Sequence, residues 1–372
     1  MHRVHLHYTI GRDSPQALVR HPLLEMLQAV AEQGSISAAA RSIGLSYRHV
    51  WGELKRWEDE LGNELILWEK GQSARLSPFG TKLMWAERQA QARLGPQIEA
   101  LQADLERAFA VAFDPEAHVL SLYASHDDAV TALREHAALQ ASLHLDIRFT
   151  GSVDAIAALN EGRCVLAGFH VPRHPAPESR AARSYRALLQ PGRHKLIGFA
   201  ERTQGLIVAR GNPLGLQSLA DVPARRARFV NRALGTGTRV LLEQLLDDTA
   251  LARDRIDGYE RTEPSHAAVA QAIASGSADA GLGIEAVARS RGLDFVPLVT
   301  EDYHLVCLKS ALDQEPLRAL RQVLASPAWQ QQVANLPGYR PSRSGQVLSL
   351  HRELPWWQLR RKPSRPPGER PA

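Results

Sequence analysis

The sequence predicts an α/β chain with an all-α-rich N-terminal domain: a winged helix-turn-helix, a long linker helix, then a two-lobed α/β domain. Three observations predict it. Residues 20–112 are rich in Ala, Leu, Glu, Arg and Trp at helical spacing, and residues 117–335 alternate short β-like runs with amphipathic helical runs. Residues 340–372 are Pro- and Arg-rich with little apolar periodicity, which reads as a mostly disordered tail, with Trp356 and Trp357 as local docking candidates. The expected boundaries are 1–77 for the winged domain, 78–112 for the linker helix, 117–335 for the two lobes and 340–372 for the tail.

Composition bounds the function classes. The chain has 372 residues, 44% hydrophobic and 23% charged, which excludes collagen-like, wholly disordered and disulfide-scaffold classes. Its two cysteines, Cys164 and Cys307, lie in apolar runs and are expected buried and reduced, fitting a cytoplasmic compartment. No apolar stretch near the start suits a secretory signal, and no run approaches a membrane span, so no membrane partner is expected. Of the net charge of +5, the segment from His351 onward supplies +4, so any case for DNA rests on local pattern.

In the first zone, a helix near His21–Gln33 carries Leu23, Leu24, Leu27 and Val30 on one stripe and stops at Gly34. Ser35 caps a second helix, Ile36–Ile43, ended by Gly44, and Ser46 caps a third, Tyr47–Leu61. Two helices joined by a short Gly-containing turn make a helix-turn-helix. On the third helix Val50, Leu54, Trp57 and Leu61 face a core. The opposite face carries Ser46 at its cap, then Tyr47, Arg48, His49, Gly52, Lys55 and Arg56. Arg48 and His49 suit base edges of double-stranded DNA, and Lys55 and Arg56 suit phosphates. Glu53, Glu58, Asp59 and Glu60 favour a merely solvated face, but the helix-turn-helix context outweighs them. Glu64–Leu76 reads as a hairpin, a wing from which Lys70 and Arg75 reach sugar-phosphate. Ser77-Pro78 then starts a helix of ~50 Å, to about Ala112, expected to kink at Gly95-Pro96 and to pair with a second copy as a homodimer or higher homo-oligomer, the alternative being a linker packed on its own chain.

GSISAAARSIGLSYRHVWGELKRWEDELG, followed by a wing and SPFG, resembles the winged helix-turn-helix of ModE-like and LysR-type bacterial regulators, and is closer to ModE. The resemblance covers roughly residues 20–110 and implies DNA binding and transcription regulation.

From residue 117 the pattern is strand (His118–Ala124), helix (Asp127–Leu139), strand (Leu143–Phe149), helix (Val153–Asn160) and strand (Cys164–His170). Such alternation predicts a parallel sheet whose ligand lies beyond the strand ends. The residues there are Ser125, His126 and Asp127, then Gly151 and Ser152, then His170. Two β-like runs follow, Lys195–Ala200 and Gly205–Ala209. A second unit has a strand at Arg228–Asn231 and a turn running Arg232, Gly235, Thr236, Gly237, Thr238, Arg239 into a helix. That turn reads either as a tight strand–helix connection or as an anion cradle of amides and hydroxyls; Asn231, Arg232 and Arg239 beside it favour the cradle. Ser265-His266 opens another helix. Asp279–Ile284 and Phe295–Val299 are strands, and Tyr303–Lys309 returns to the first lobe. Two crossings make a hinged clam.

The stretches RFVNRALGTGTRVLLEQLL, SHAAVAQAIASGSADAGLGIEAVA and LDFVPLVTEDYHLV resemble the periplasmic-binding-protein superfamily (type II), in the form fused to a helix-turn-helix. The glycine-threonine turn is similar to that of molybdate- and tungstate-binding proteins. The resemblance implies a small anionic ligand, molybdate or tungstate, with molybdenum cofactor or another phosphate-bearing molecule as the alternative. ModE-type regulators carry a different, smaller molybdate domain, so the ligand is not inherited from the N-terminal resemblance. No cofactor is expected. An enzyme using His126, Asp127 or His170 as acid and base lacks a nucleophile–base–orienter set, and His2, His5 and His7 read as a strand rather than a metal site; neither catalysis nor a metal is expected.

Overall fold

The computed structural model describes residues 21–67, 73–113 and 117–357. His2, His5, His7 and Lys70 lie outside the described residues. The head begins with α1 (Pro22–Gln33), which His21 caps through its ring nitrogen and Gly34 ends at φ +61°. Ser35 caps α2 (Ile36–Ser42), and Ser46 caps α3 (Tyr47–Leu61), its hydroxyl accepting from His49 N at 3.1 Å. Leu27, Val30, Ala39, Val50 and Leu54 are buried between the three helices, as the apolar stripes require. β1 (Ile66–Leu67) and β2 (Arg75–Leu76) pair antiparallel as the wing. Glu58 is not a solvated charge on the exposed face of α3. It is buried and accepts from Leu65 N and Ile66 N at 2.8 and 3.2 Å, so it fixes the wing to α3.

Helix α4 (Pro78–Phe113) is unbroken through Gly95-Pro96, where a kink was expected. Arg93 before the pair and Arg107 after it are both tied to the α/β domain, which offsets the hydrogen bond that proline forfeits.

The first lobe is β3 (His118–Ala124), α5 (Asp128–Ala141), β4 (Leu143–Phe149), α6 (Ser152–Asn160), β5 (Leu166–Pro172) and α7 (Arg180–Tyr185). The chain crosses on β6 (His194–Val208) into the second lobe: α8 (Asp221–Ala224), β7 (Phe229–Arg232), α9 (Gly237–Asp248), β8 (Thr262–Glu263), α10 (His266–Ala274), β9 (Ala280–Ile284) and α11 (Glu285–Ser290). It returns on β10 (Asp294–Leu308) and packs α12 (Glu315–Ala325) and α13 (Pro327–Ala334) on the first lobe. One sheet of order β4-β3-β5-β10-β6-β9-β7-β8 runs through both lobes. The predicted pairs of short strands at 195–209 and 295–309 are in fact two continuous strands of 15 residues each, antiparallel to one another. Their polar centres face the interlobe cleft, which is why they resembled loops.

The tail is a second correction. β11 (Tyr339–Pro341) and β12 (Val347–Leu348) both pair with β6, and α14 (Leu350–Glu353) follows. Leu350, Leu354 and Trp356 are buried in the first lobe, where Trp356 lies against Tyr185. Widely spaced apolar anchors hold residues 339–357 despite their Pro and Arg content; residues 358–372 lie outside the described residues.

Cys164 and Cys307 are free and buried, and burial pushes their thiols up to about 11 and 12. Among the described residues no helix is long and apolar enough to cross a membrane.

Candidate functional site

The two lobes meet face to face. A Cβ on Gly151, at the start of α6, would lie 2.6 Å from Gly235 O on the opposite lobe, and one on Gly237 would lie 3.3 Å from Ser152 Oγ. Only glycines let these two backbones approach so closely. Arg180 of α7 pairs with Asp247 of α9 at 2.6 Å, closing the same edge. The clam is shut.

Inside it lies a concentration of buried polar side chains. Arg202 of β6 donates to Asp127 at 2.6 Å and to Glu301 of β10 at 3.1 Å. Gln204 donates to Glu301 at 2.8 Å and to Thr238 at 3.1 Å. Tyr339 donates to Asp127 at 2.6 Å. Arg202 is thus matched by two carboxylates, which raise its pKa against the burial that would lower it. Arg232 has no such match. It ends β7, is 3% exposed, and its Nε and Nη1 find no hydrogen-bond partner among the described residues. Desolvation first, and repulsion from Arg202 second, push it down to about 9.

The same holds for its neighbours. Ser125 Oγ, both ring nitrogens of His170, Nδ1 of His266 and the hydroxyl of Tyr303 are buried without a hydrogen bond among the described residues. Ser152 Oγ and the Tyr185 hydroxyl approach each other without a well-formed hydrogen bond. Buried polar groups are rarely left unpaired. Seven such residues, with an unmatched guanidinium among them, would suit an acceptor-rich ligand.

Of the residues singled out in the sequence, the structure brings Ser125, Ser152, His170, Arg232, Gly237, Thr238 and His266 together at this cleft. Others are committed elsewhere. Asn231 donates to Tyr259 O and accepts from Arg232 N, which fixes the strand end. Thr236 caps α9, and Asp127 caps α5 while holding Arg202. Ser265 caps α10 and donates to Ala92 O on α4. Gly235 forms the lobe contact, and His126 packs edge-on against Phe149 at 4.7 Å, half-buried. Arg202, Gln204, Glu301 and Tyr303 were missed because they sit in the polar centres of β6 and β10; alternation of ERTQ with apolar flanks was the available signal.

On the head, Ser46, Tyr47, Arg48, His49, Lys55 and Arg56 are all exposed on one side of α3, and Arg75 is exposed on the wing. Lys55 is paired with Glu58 at 2.6 Å and Arg56 with Glu53 at 2.5 Å. Their charges are partly spent within the helix, leaving Arg48 and His49 as the more available pair. Among the described residues no group of three His, Cys, Asp or Glu side chains is placed to hold a metal.

The buried histidines predict a pH dependence. Burial first, then nearby Arg202 for His170 and Arg232 for His266, holds both well below the ordinary value; burial takes His304 down to about 3. Each binds a proton in the unfolded chain near pH 6.5 but not in the fold. Their contribution to stability is therefore full above about pH 6.5 and is lost as pH falls toward the folded values, by about 1.4 kcal/mol per unit per histidine. Burial also lowers His194, so the melting temperature should fall from pH 6.5 to 5, and His304→Phe should reduce that slope by about a quarter. A melting temperature flat from pH 7 to 5 would contradict it.

Residues 133–325 match the family described as "PBP superfamily domain", and residues 22–81 match "Bacterial regulatory helix-turn-helix protein, lysR family". The chain is 30% identical over 202 residues to the uncharacterized protein YvgK of Bacillus subtilis (strain 168), 54% of this chain and 64% of that one. It thus spans less than two thirds of that relative. It is 31% identical over 111 residues to an uncharacterized protein in the ferredoxin 2Fe-2S gene 5′ region of Clostridium pasteurianum, 30% of this chain and 98% of that one. Similar solved structures include ArgP from Mycobacterium tuberculosis (19% identity, TM-score 0.39, 82% of this chain and 95% of that one). Full-length LysG from Corynebacterium glutamicum is another (17% identity, TM-score 0.38, 81% and 94%).

Proposed function

We propose a working cycle for a chain that belongs to the PBP superfamily and carries a lysR-family regulatory helix-turn-helix, a regulator and not an enzyme: the cleft closes on a small oxyanion, and the head reads double-stranded DNA accordingly. The observation that carries the ligand reading is Arg232, a buried cation without a counter-charge, ringed by unpaired hydroxyl and imidazole groups. A tetrahedral oxyanion supplies both the missing charge and the missing acceptors. Molybdate or tungstate is the favoured species, on the glycine-threonine turn. A cytoplasmic site of action suits a DNA-binding regulator.

A second reading has its own support. A cavity of about 230 Å³ opens beside the donors, lined by His170, Pro172, Ser179, Gly237, Val240 and Gln244. His170 and Gly237 belong to both spaces. A phosphate-bearing organic molecule, molybdenum cofactor included, places its phosphate at Arg232 and its body in this cavity.

On α4, Leu94, Leu101, Leu105 and Phe109 are between 38% and 56% exposed at spacings of seven, four and four. That stripe supports a homodimer, in which two α3 helices face a two-fold DNA site.

Titration of the full chain with molybdate, tungstate, sulfate and phosphate tests the ligand, and anisotropy of a labelled duplex tests the head. We expect heat and a raised melting temperature with at least one oxyanion, at least tenfold weaker DNA binding by Arg48→Ala, and monomers from Leu105→Glu in sedimentation. Silence toward all four anions removes the free-oxyanion reading; mass spectrometry of ligand retained by the purified protein then decides for the organic phosphate.

A further inference from the structure

Helix α4 touches both lobes. Toward the second lobe, Arg93 donates to both carboxylate oxygens of Glu263 at 2.9 and 2.7 Å, and Gln89 donates to the same group at 3.2 Å. Ser265 Oγ donates to Ala92 O at 2.9 Å. Glu263 is 2% exposed, so this anchor is dry on the acidic side. Toward the first lobe, α4 packs along β4, and Arg107 pairs with Asp146 at 2.7 Å, with both side chains about a quarter exposed. The two anchors are fourteen residues apart, about 21 Å of helix. At its other end the same helix is rooted in the head: Ser77 holds its first turn to Glu64 O, and Arg88 pairs with Glu32 at 3.6 Å.

The second-lobe anchor is also wired to the cleft. In the β7–β8 ladder Arg232 stands opposite Glu263, and His266 directly follows Ser265. Across the ladder in one case and along the chain in the other, a residue of the cleft thus sits next to one that grips α4.

We propose that α4 is a strut clamped to both lobes only while the clam is shut, so that closure on the ligand fixes the angle of the DNA-reading head. This rests on the reading that the cleft closes on an anion. A helix is stiff, and lobes that swing apart about β6 and β10 cannot both keep hold of a rod of fixed length. The contact that yields is the part-exposed Arg107–Asp146 pair, because an exposed ion pair is weak while Glu263 has three side-chain donor contacts in a buried setting. The helix therefore keeps its hold on the second lobe, and its C-terminal half, which runs on into β3 of the first lobe, gains or loses its lateral contact with β4. Glu263, Ser265, Arg107 and Asp146 are positioning residues: they touch no ligand.

Two measurements on the full chain decide it. First, duplex anisotropy with and without sodium molybdate is compared for wild type and Asp146→Arg. The variant should bind molybdate within about threefold of wild type by calorimetry, while its DNA affinity no longer changes with molybdate, against a wild-type change of about 5- to 150-fold. The swap Arg107→Asp with Asp146→Arg should restore the response. Second, hydrogen exchange without any ligand is compared for wild type and Gly151→Ala, whose added methyl obstructs closure. Exchange should quicken over residues 100–111 and stay unchanged over residues 88–94. A molybdate response that survives in Asp146→Arg, or equal exchange over residues 100–111 in Gly151→Ala, overturns the strut. If wild type ignores molybdate, the molybdate reading falls, and the exchange comparison still decides the strut.

Discussion

Replacing Arg232 with methionine should move stability and ligand affinity in opposite directions. In the closed cleft the guanidinium is buried, meets no carboxylate and is pushed down to about 9, so the fold carries the cost of an unmatched charge. Substituting an apolar side chain of similar length for a buried charge is stabilising by about 1–4 kcal/mol, and the melting temperature of the ligand-free protein should rise by several degrees. The same change removes the charge partner of an anion, and truncating one side of a buried charged contact costs about 2–5 kcal/mol. Oxyanion affinity should therefore drop at least 100-fold, and the ligand-induced rise in melting temperature should vanish, while DNA binding loses its response to the oxyanion but is not abolished, because the head is untouched. Calorimetry and thermal melting read both halves. Unchanged oxyanion affinity in Arg232→Met would remove this residue from the site, and an equal loss of DNA binding would mean that head and sensor are not separable.

The second large effect is expected from one methyl group. Gly151 has φ −67° and ψ 155°, an ordinary extended conformation, so alanine is tolerated by the backbone itself. In the shut clam, however, its Cβ would lie 2.6 Å from Gly235 O and 2.9 Å from the carbonyl carbon. Both are main-chain atoms, and neither can swing away. Such overpacking costs about 1–3 kcal/mol, and here only the closed state bears it. Oxyanion affinity in Gly151→Ala should fall about 10- to 100-fold, with the folded core intact by circular dichroism. Affinity equal to wild type would mean that the ligand binds without bringing residues 151 and 235 together.

How much of this could be read beforehand depended on whether a segment's role was local. The head was legible because caps and stripes act within one turn: Ser35, Ser46, Gly34 and Gly44 mark helix ends, and Val50 and Leu54 mark a buried face. The first lobe was legible because β3 and β4 are apolar runs bounded by turns. What failed was tertiary. Glu201–Gln204 looks like a loop because its side chains are polar, yet Arg202 and Gln204 are polar inside the protein, answered by Asp127 and Glu301 from distant parts of the chain. The tail misled for the converse reason, since Leu350, Leu354 and Trp356 are too sparse to show a period but all reach one core. In the site, residue type pointed to Arg232, Ser152 and His170; nothing in the local sequence distinguished them from Asn231 or Thr236, whose side chains are spent on their own backbone.

The position of β10 has a consequence for synthesis. That strand lies between β5 and β6, and it is made after every other strand it separates and joins. The head's apolar core is complete once residue 83 has left the ribosome, whereas the sheet beneath the cleft has a gap at its centre until residue 308 emerges. At about 5–20 residues per second, that interval lasts roughly 10–45 s. Throughout it, the nascent chain carries a finished head with no closed cleft attached, so on the function proposed above an abandoned translation product would bring to DNA a head that no ligand can control.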